Sequence, residues 1–112
     1  MKKTLFKNYS YSFDKNERKV LTSFCKQVLK QMESDNRYFA EVKAFNSILE
    51  KLNSVEDEVK LTKDERTRFV LQLKENTKYL DDQIKKSWFL KKWLYKSLYT
   101  QYKNILSIHF EE

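Results

Sequence analysis

FDKNERKVL at Phe13–Leu21 and LTKDERTRFVL at Leu61–Leu71 are nearly the same phrase, written twice 48 residues apart. Each begins with a large apolar residue and continues with a side chain that can cap a helix, Asp14 or Thr62. A glutamate follows three positions later. This is the pattern of a capping box, in which the cap side chain accepts from the N3 amide and the N3 carboxylate accepts from the cap amide. Upstream of each box the chain alternates large and small or polar residues with period two: Tyr9-Ser10-Tyr11-Ser12-Phe13 and Val59-Lys60-Leu61. Alternation of that kind marks a half-buried strand. We therefore read two strand-to-helix junctions, with segments near 9–13 and 58–61 able to pair as a short two-stranded ribbon. From Asp14 to Met32 only Lys15, Glu17, Arg18, Lys26 and Lys30 match their counterparts, so shared capping grammar explains the repeat better than duplication does.

After the first box, Val20, Leu21, Phe24, Cys25, Val28, Leu29 and Met32 form a wide apolar stripe over about five helical turns. Ser34-Asp35-Asn36 stops that helix and offers caps for the next. In the second helix Tyr38, Val42, Phe45, Leu49 and Leu52 step by three and four, flanked by Ala44 and Ile48. After the second box, Phe69, Val70, Leu73, Leu80 and Ile84 continue a stripe that runs on in register to Ile105, interrupted mainly by Thr77 and Lys91. One helix from Thr62 to about Ile108 would be roughly 70 Å long and would need a second copy to cover it. A turn near Ser87 gives four helices of comparable length, and is preferred.

Composition supports this class. The 112 residues contain no Gly and no Pro, which disfavours turn-rich sandwiches and barrels and excludes glycine-dependent phosphate loops. Eight Phe, seven Tyr and two Trp supply core side chains, so disorder is not expected. The expectation is an all-α or nearly all-α chain: a bundle of three to four helices in one domain, 1–112, with a short ribbon. No apolar stretch approaches the ~20 residues of a membrane span. Met1-Lys2-Lys3-Thr4-Leu5-Phe6 lacks the apolar run of a signal peptide. A single cysteine suits a reducing cytoplasm. Lysine- and asparagine-rich usage suggests a low-GC bacterium or its phage.

No catalytic set is evident, and the chain reads as a non-enzyme without cofactor or metal. His109 stands alone near the end, Cys25 sits on an apolar stripe, and Asp81-Asp82 point about 100° apart on a helix. Charge is more informative. The net charge is +7, with residues 32–59 acidic and both flanks basic; residues 83–110 hold six Lys and no acid. Within KKSWFLKKWLYKSLYTQYK, a core face of Trp88, Leu90, Leu94, Tyr95, Leu98, Tyr102 and Ile105 is expected. Lys85, Phe89, Lys92, Lys96, Tyr99 and Lys103 step along another side, with Trp93 beside them. Either these residues interleave cations with exposed rings, or Trp93 and Phe89 are core and the lysine stems snorkel outward. The first arrangement makes them a partner-binding face.

Three readings of that face follow. The favoured one is a small protein-binding module (an adaptor, inhibitor or immunity-type protein) that grips an acidic protein surface. The alternative is sequence-tolerant DNA or RNA binding, joined by Lys2, Lys3, Lys7 and Lys19. Against it stand the scarcity of Arg and the acidic middle segment. Peripheral attachment to anionic membrane is the weakest. A monomer or weak homodimer is expected.

Overall fold

The computed structural model describes residues 9–87 and 89–110, apart from the side chains of Phe89 and Leu90. It contains two short strands, β1 (Tyr9–Tyr11) and β2 (Val59–Leu61), and four helices: α1 (Lys15–Met32), α2 (Phe39–Leu52), α3 (Lys63–Lys86) and α4 (Phe89–Ile105). A single 3-10 turn, Asn36–Tyr38, precedes α2, and a π-helical turn, Leu106–Phe110, follows α4. The helical bundle with a short ribbon expected from the sequence is present. The chain divides into two compact units, Met1–Phe69 and Val70–Glu112.

In the first unit the strands pair antiparallel, Tyr9 opposite Leu61 and Tyr11 opposite Val59. Period-two alternation puts Tyr11, Val59 and Leu61 inside and Ser10 and Lys60 outside. Phe13, just past β1, stacks on Tyr11 at 5.6 Å. Both capping boxes form. Asp14 accepts from the Glu17 amide at 2.7 Å and its own amide donates to Glu17 at 3.0 Å; Thr62 and Glu65 repeat the exchange at 3.1 and 3.0 Å.

α1 buries Leu21, Phe24, Cys25, Val28 and Leu29, as its stripe requires. α2 is rotated from the expected face: Ala44, Phe45, Ile48 and Leu52 are buried, while Val42 and Leu49 are only half-buried and Tyr38 is exposed. The aromatic core sets this rotation. Phe24 lies edge-on to Phe45 at 6.1 Å and to Phe69 at 5.6 Å, and Phe45 and Phe69 are 6.0 Å apart. All three rings are at most 1% exposed. Edge-to-face packing at these distances adds to the area that each ring removes from water. Beside this cluster the Cys25 thiol is fully enclosed, and burial pushes its pKa up to about 12.

Two polar constructions hold the connections. Arg18, in the first turn of α1, donates to the carbonyls of Leu52 (2.9 Å), Ser54 (3.4 Å), Glu56 (2.7 Å) and Asp57 (3.1 Å). One guanidinium thus ties down the end of α2 and the loop to β2. Glu65 closes the second capping box and also accepts from Ser47 Oγ at 2.6 Å and Lys51 Nζ at 2.7 Å, both on α2. Burial alone would raise its pKa, but the Lys51 and Ser47 hydrogen bonds and the Thr62 amide outweigh burial and hold the carboxyl below its ordinary value. Arg66, the counterpart of Arg18 in the repeat, donates to the Tyr11 hydroxyl at 3.1 Å and lies 5.1 Å over the Tyr9 ring.

In the second unit the chain breaks at Ser87, between α3 and α4, so the long-helix alternative does not hold. Leu73, Thr77, Leu80, Tyr102, Ile105, Leu106 and Phe110 are buried. Thr77 fits an apolar setting because its hydroxyl donates back to the Leu73 carbonyl at 2.7 Å. Lys91, which one long helix would place in an apolar seam, is exposed.

Two outcomes test these constructions. Arg18→Ala leaves four carbonyls to water and should lower unfolding free energy by about 2 kcal/mol, with faster amide exchange across residues 53–58. Arg37→Ala, which removes a solvent-screened surface pair with Asp35, should leave the urea midpoint nearly unchanged. For Glu65 the folded pKa is depressed, so its stabilisation is present above the ordinary carboxylate value and lost as pH falls through the lower folded value. Urea midpoints between pH 3 and 7 should therefore fall steeply with acid in the native chain and less steeply in Glu65→Gln. An unchanged slope would show that Glu65 contributes nothing.

Candidate functional site

Helix α4 advances about 100° per residue, which orders its side chains around the axis. Tyr102, Ile105 and Leu106 mark the buried side. Trp93 is nine residues before Tyr102, hence half a turn out of phase, at the centre of the solvent side. The residue is 68% exposed. Trp93 is a surface residue. Leu94, expected in the core, is a correction: it sits at the edge of the buried side and is 47% exposed. Tyr95 and Leu98 are half-buried; only Tyr102 and Ile105 of the expected core face are fully enclosed. Trp88 and the Leu90 side chain lie outside the described residues. The reason is positional. The buried residues of this segment gather from Tyr102 to Phe110, and residues 91–101 are all exposed or half-buried.

Five of the seven residues singled out from the sequence are described side chains of α4, and they spread around its open side and one flank. Trp93 and Lys96 are exposed on the open side, about 60° apart around the axis, whereas Lys91 is exposed about 160° away from Trp93. Lys92, Tyr99 and Lys103 fall within about 40° of one another on a flank; Lys92 and Tyr99 are half-buried and Lys103 is exposed. Lys85 belongs to α3, where its ammonium is 3.3 Å from Asp81. The Phe89 side chain is outside the described residues, as are Lys2, Lys3 and Lys7; Lys19 is exposed on α1.

Tyr99 and Lys103 form one wall of a groove of about 290 Å³, with Leu106 beside them; Lys74, Thr77, Lys78 and Asp81 of α3 form the other. The sequence reading missed the α3 wall. Lys74 and Lys78 were visible only as the partners of Lys26 and Lys30 in the repeated phrase, and nothing in linear order brings them opposite Tyr99 and Lys103. Lys74, Lys78, Lys92, Lys96 and Lys103 make no ion pair with any described residue. The surface therefore carries uncompensated positive charge, moderated on α3 by Glu75, Asp81 and Asp82.

Cys25 is sealed in the core, His109 is half-buried against the edge of Phe110, and no three His, Cys, Asp or Glu side chains gather as metal ligands among the described residues. No helix among the described residues is long and apolar enough to cross a membrane. No protein-family model matches the chain, and neither a curated protein nor a solved structure resembles it closely enough to count as a match.

The exposure of Trp93 has a direct test. Trp93→Ala should change unfolding free energy by under about 0.5 kcal/mol, the usual range for surface substitutions. A loss of about 3 kcal/mol or more, typical of a core aromatic, would place the ring inside.

Proposed function

We propose that the chain is a non-enzymatic protein-binding module, of the adaptor, inhibitor or immunity type and of bacterial or phage origin, that grips an acidic partner through α4. The observation that carries this reading is Trp93: a large apolar ring at the centre of the solvent side, with Lys96 about 60° and Lys92 about 100° around the helix from it. An exposed tryptophan keeps a large apolar ring in water until something covers it, and tryptophan is a typical anchor in protein interfaces. The lysines add steering toward a negative surface and raise the rate of encounter more than the final affinity. Leu94 widens the apolar contact at one edge. The lone buried cysteine fits a reducing cytoplasm, and a monomer or weak homodimer completes the proposal.

Nucleic acid is the second reading, favoured by one feature, the lysine groove with the Tyr99 ring in its wall. Lysine contacts of that kind would give sequence-tolerant, steeply salt-dependent binding.

A photo-crosslinking amino acid at Ser97, exposed close to Trp93, should capture a partner in cells of the source organism. Trp93→Ala should reduce that product about thirtyfold, the equivalent of a 2 kcal/mol anchor, and Lys92→Ala only about threefold. Equal and small losses would count against the protein-binding reading. Retardation of DNA or RNA by the unmodified chain at physiological salt would favour the second.

A further inference from the structure

The α3–α4 groove offers a ligand an ordered set of charges. Lys74 and Lys78 are one helical turn apart on α3, and Tyr99 and Lys103 are one turn apart on α4. The other polar groups of the groove are engaged: Asp81 pairs with Lys85 at 3.3 Å, and the Thr77 hydroxyl is spent on the Leu73 carbonyl. What remains are three ammonium groups and a phenol, beside the apolar Leu106. None of these lysines is neutralised by a described residue.

We infer that this groove seats an extended acidic segment of the partner, with carboxylates at alternate positions facing Lys74 and Lys78. The inference rests on the protein-binding reading of α4 and adds a second contact to it, on the flank away from Trp93. Spacing selects the conformation. Residues four apart on a helix bring their Cβ atoms to about 5–6 Å, and same-side residues of an extended chain repeat at about 6.7 Å. An extended segment can therefore set one carboxylate against each of the two lysines along a groove of about 290 Å³. Charge selects the chemistry. A nucleic-acid strand carries a phosphate at every nucleotide and would set one of them against Asp81. A peptide places its carboxylates singly and can leave a neutral residue there.

The test uses a fluorescein-labelled peptide, Glu-Ser-Glu-Ser-Glu-Ser-Glu, titrated into the full chain at low salt and followed by anisotropy and by amide NMR. Shifts should concentrate in residues 74–81 and 99–106. The double variant Lys74→Gln/Lys78→Gln should weaken binding about tenfold, and Lys103→Gln, on the opposite wall, about threefold, as expected for loss of partly desolvated charge pairs. These positions are exposed, so both variants should keep the native circular dichroism, and Lys26→Gln, an exposed lysine of α1, should bind the peptide as the native chain does. Equal binding of the Gln-for-Glu peptide, or shifts elsewhere, overturns the inference. So does tighter binding of an oligonucleotide of equal charge through the same lysines. Self-association abolished by Glu56→Gln/Glu58→Gln would assign the groove to a second copy instead. If the peptide fails but the Trp93-dependent crosslink at Ser97 persists, the groove assignment falls and the protein-binding reading stands. If the peptide binds and the crosslink does not depend on Trp93, the reading of α4 falls and the groove is retained as a carboxylate site.

Discussion

A chain without glycine or proline has to turn corners with side chains, and much of this structure follows from that constraint. Helices commonly end on a left-handed residue that lets the following amides satisfy the last carbonyls. No described residue here has positive φ. The end of α2 is closed by other means: the Asn53 side-chain amide donates to the Leu49 carbonyl, Ser54 Oγ to Lys51, and Arg18 reaches across from α1 to Leu52 and beyond. Helix starts are handled by the two capping boxes, and the α1–α2 connection by Asp35, which accepts from the Arg37 amide and pairs with its guanidinium. Buried backbone groups must find partners somewhere. Their distribution among polar side chains explains why a small domain carries so many specific long-range hydrogen bonds.

The same constraint decides what could be seen in the sequence. Capping boxes and strand alternation are local, so Asp14, Glu17, Thr62, Glu65 and the ribbon were legible directly. Arg18 and Glu65 also have second functions that depend on groups 34 to 39 and 14 to 18 residues away, and no local pattern announces them. The break at Ser87 was legible only from the implausible length of the alternative, since neither glycine nor proline marks it. Periodicity identified the helices better than it identified their buried sides. Tyr38 and Leu94 both lie in register with core residues and are exposed, because burial depends on what a neighbouring helix covers as well as on phase.

The candidate surface shows the same division. Trp93 and the lysines of α4 could be picked out from one helix, and so could two competing placements for Trp93. Choosing between them needed the positions of Tyr102 and Ile105. The groove could not be found that way, because two of its three lysines come from α3 and only the packing sets them opposite Lys103. A single-helix pattern thus supplied an anchor and a flank, and the packing supplied what the flank faces.

The sealed thiol of Cys25 makes the first unit its own reporter. A thiol with its pKa pushed up to about 12 by burial is unreactive while the core around Phe24, Phe45 and Phe69 stays closed, because only an exposed thiolate attacks alkylating reagents. Its rate of labelling under native conditions therefore reads the free energy of opening that core, without any substitution. Both tryptophans of the chain, Trp88 and Trp93, belong to the second unit, so fluorescence follows that part separately. Thiol chemistry and tryptophan emission together give each half of the chain a native probe, and would reveal whether the halves open as one cooperative unit or in succession.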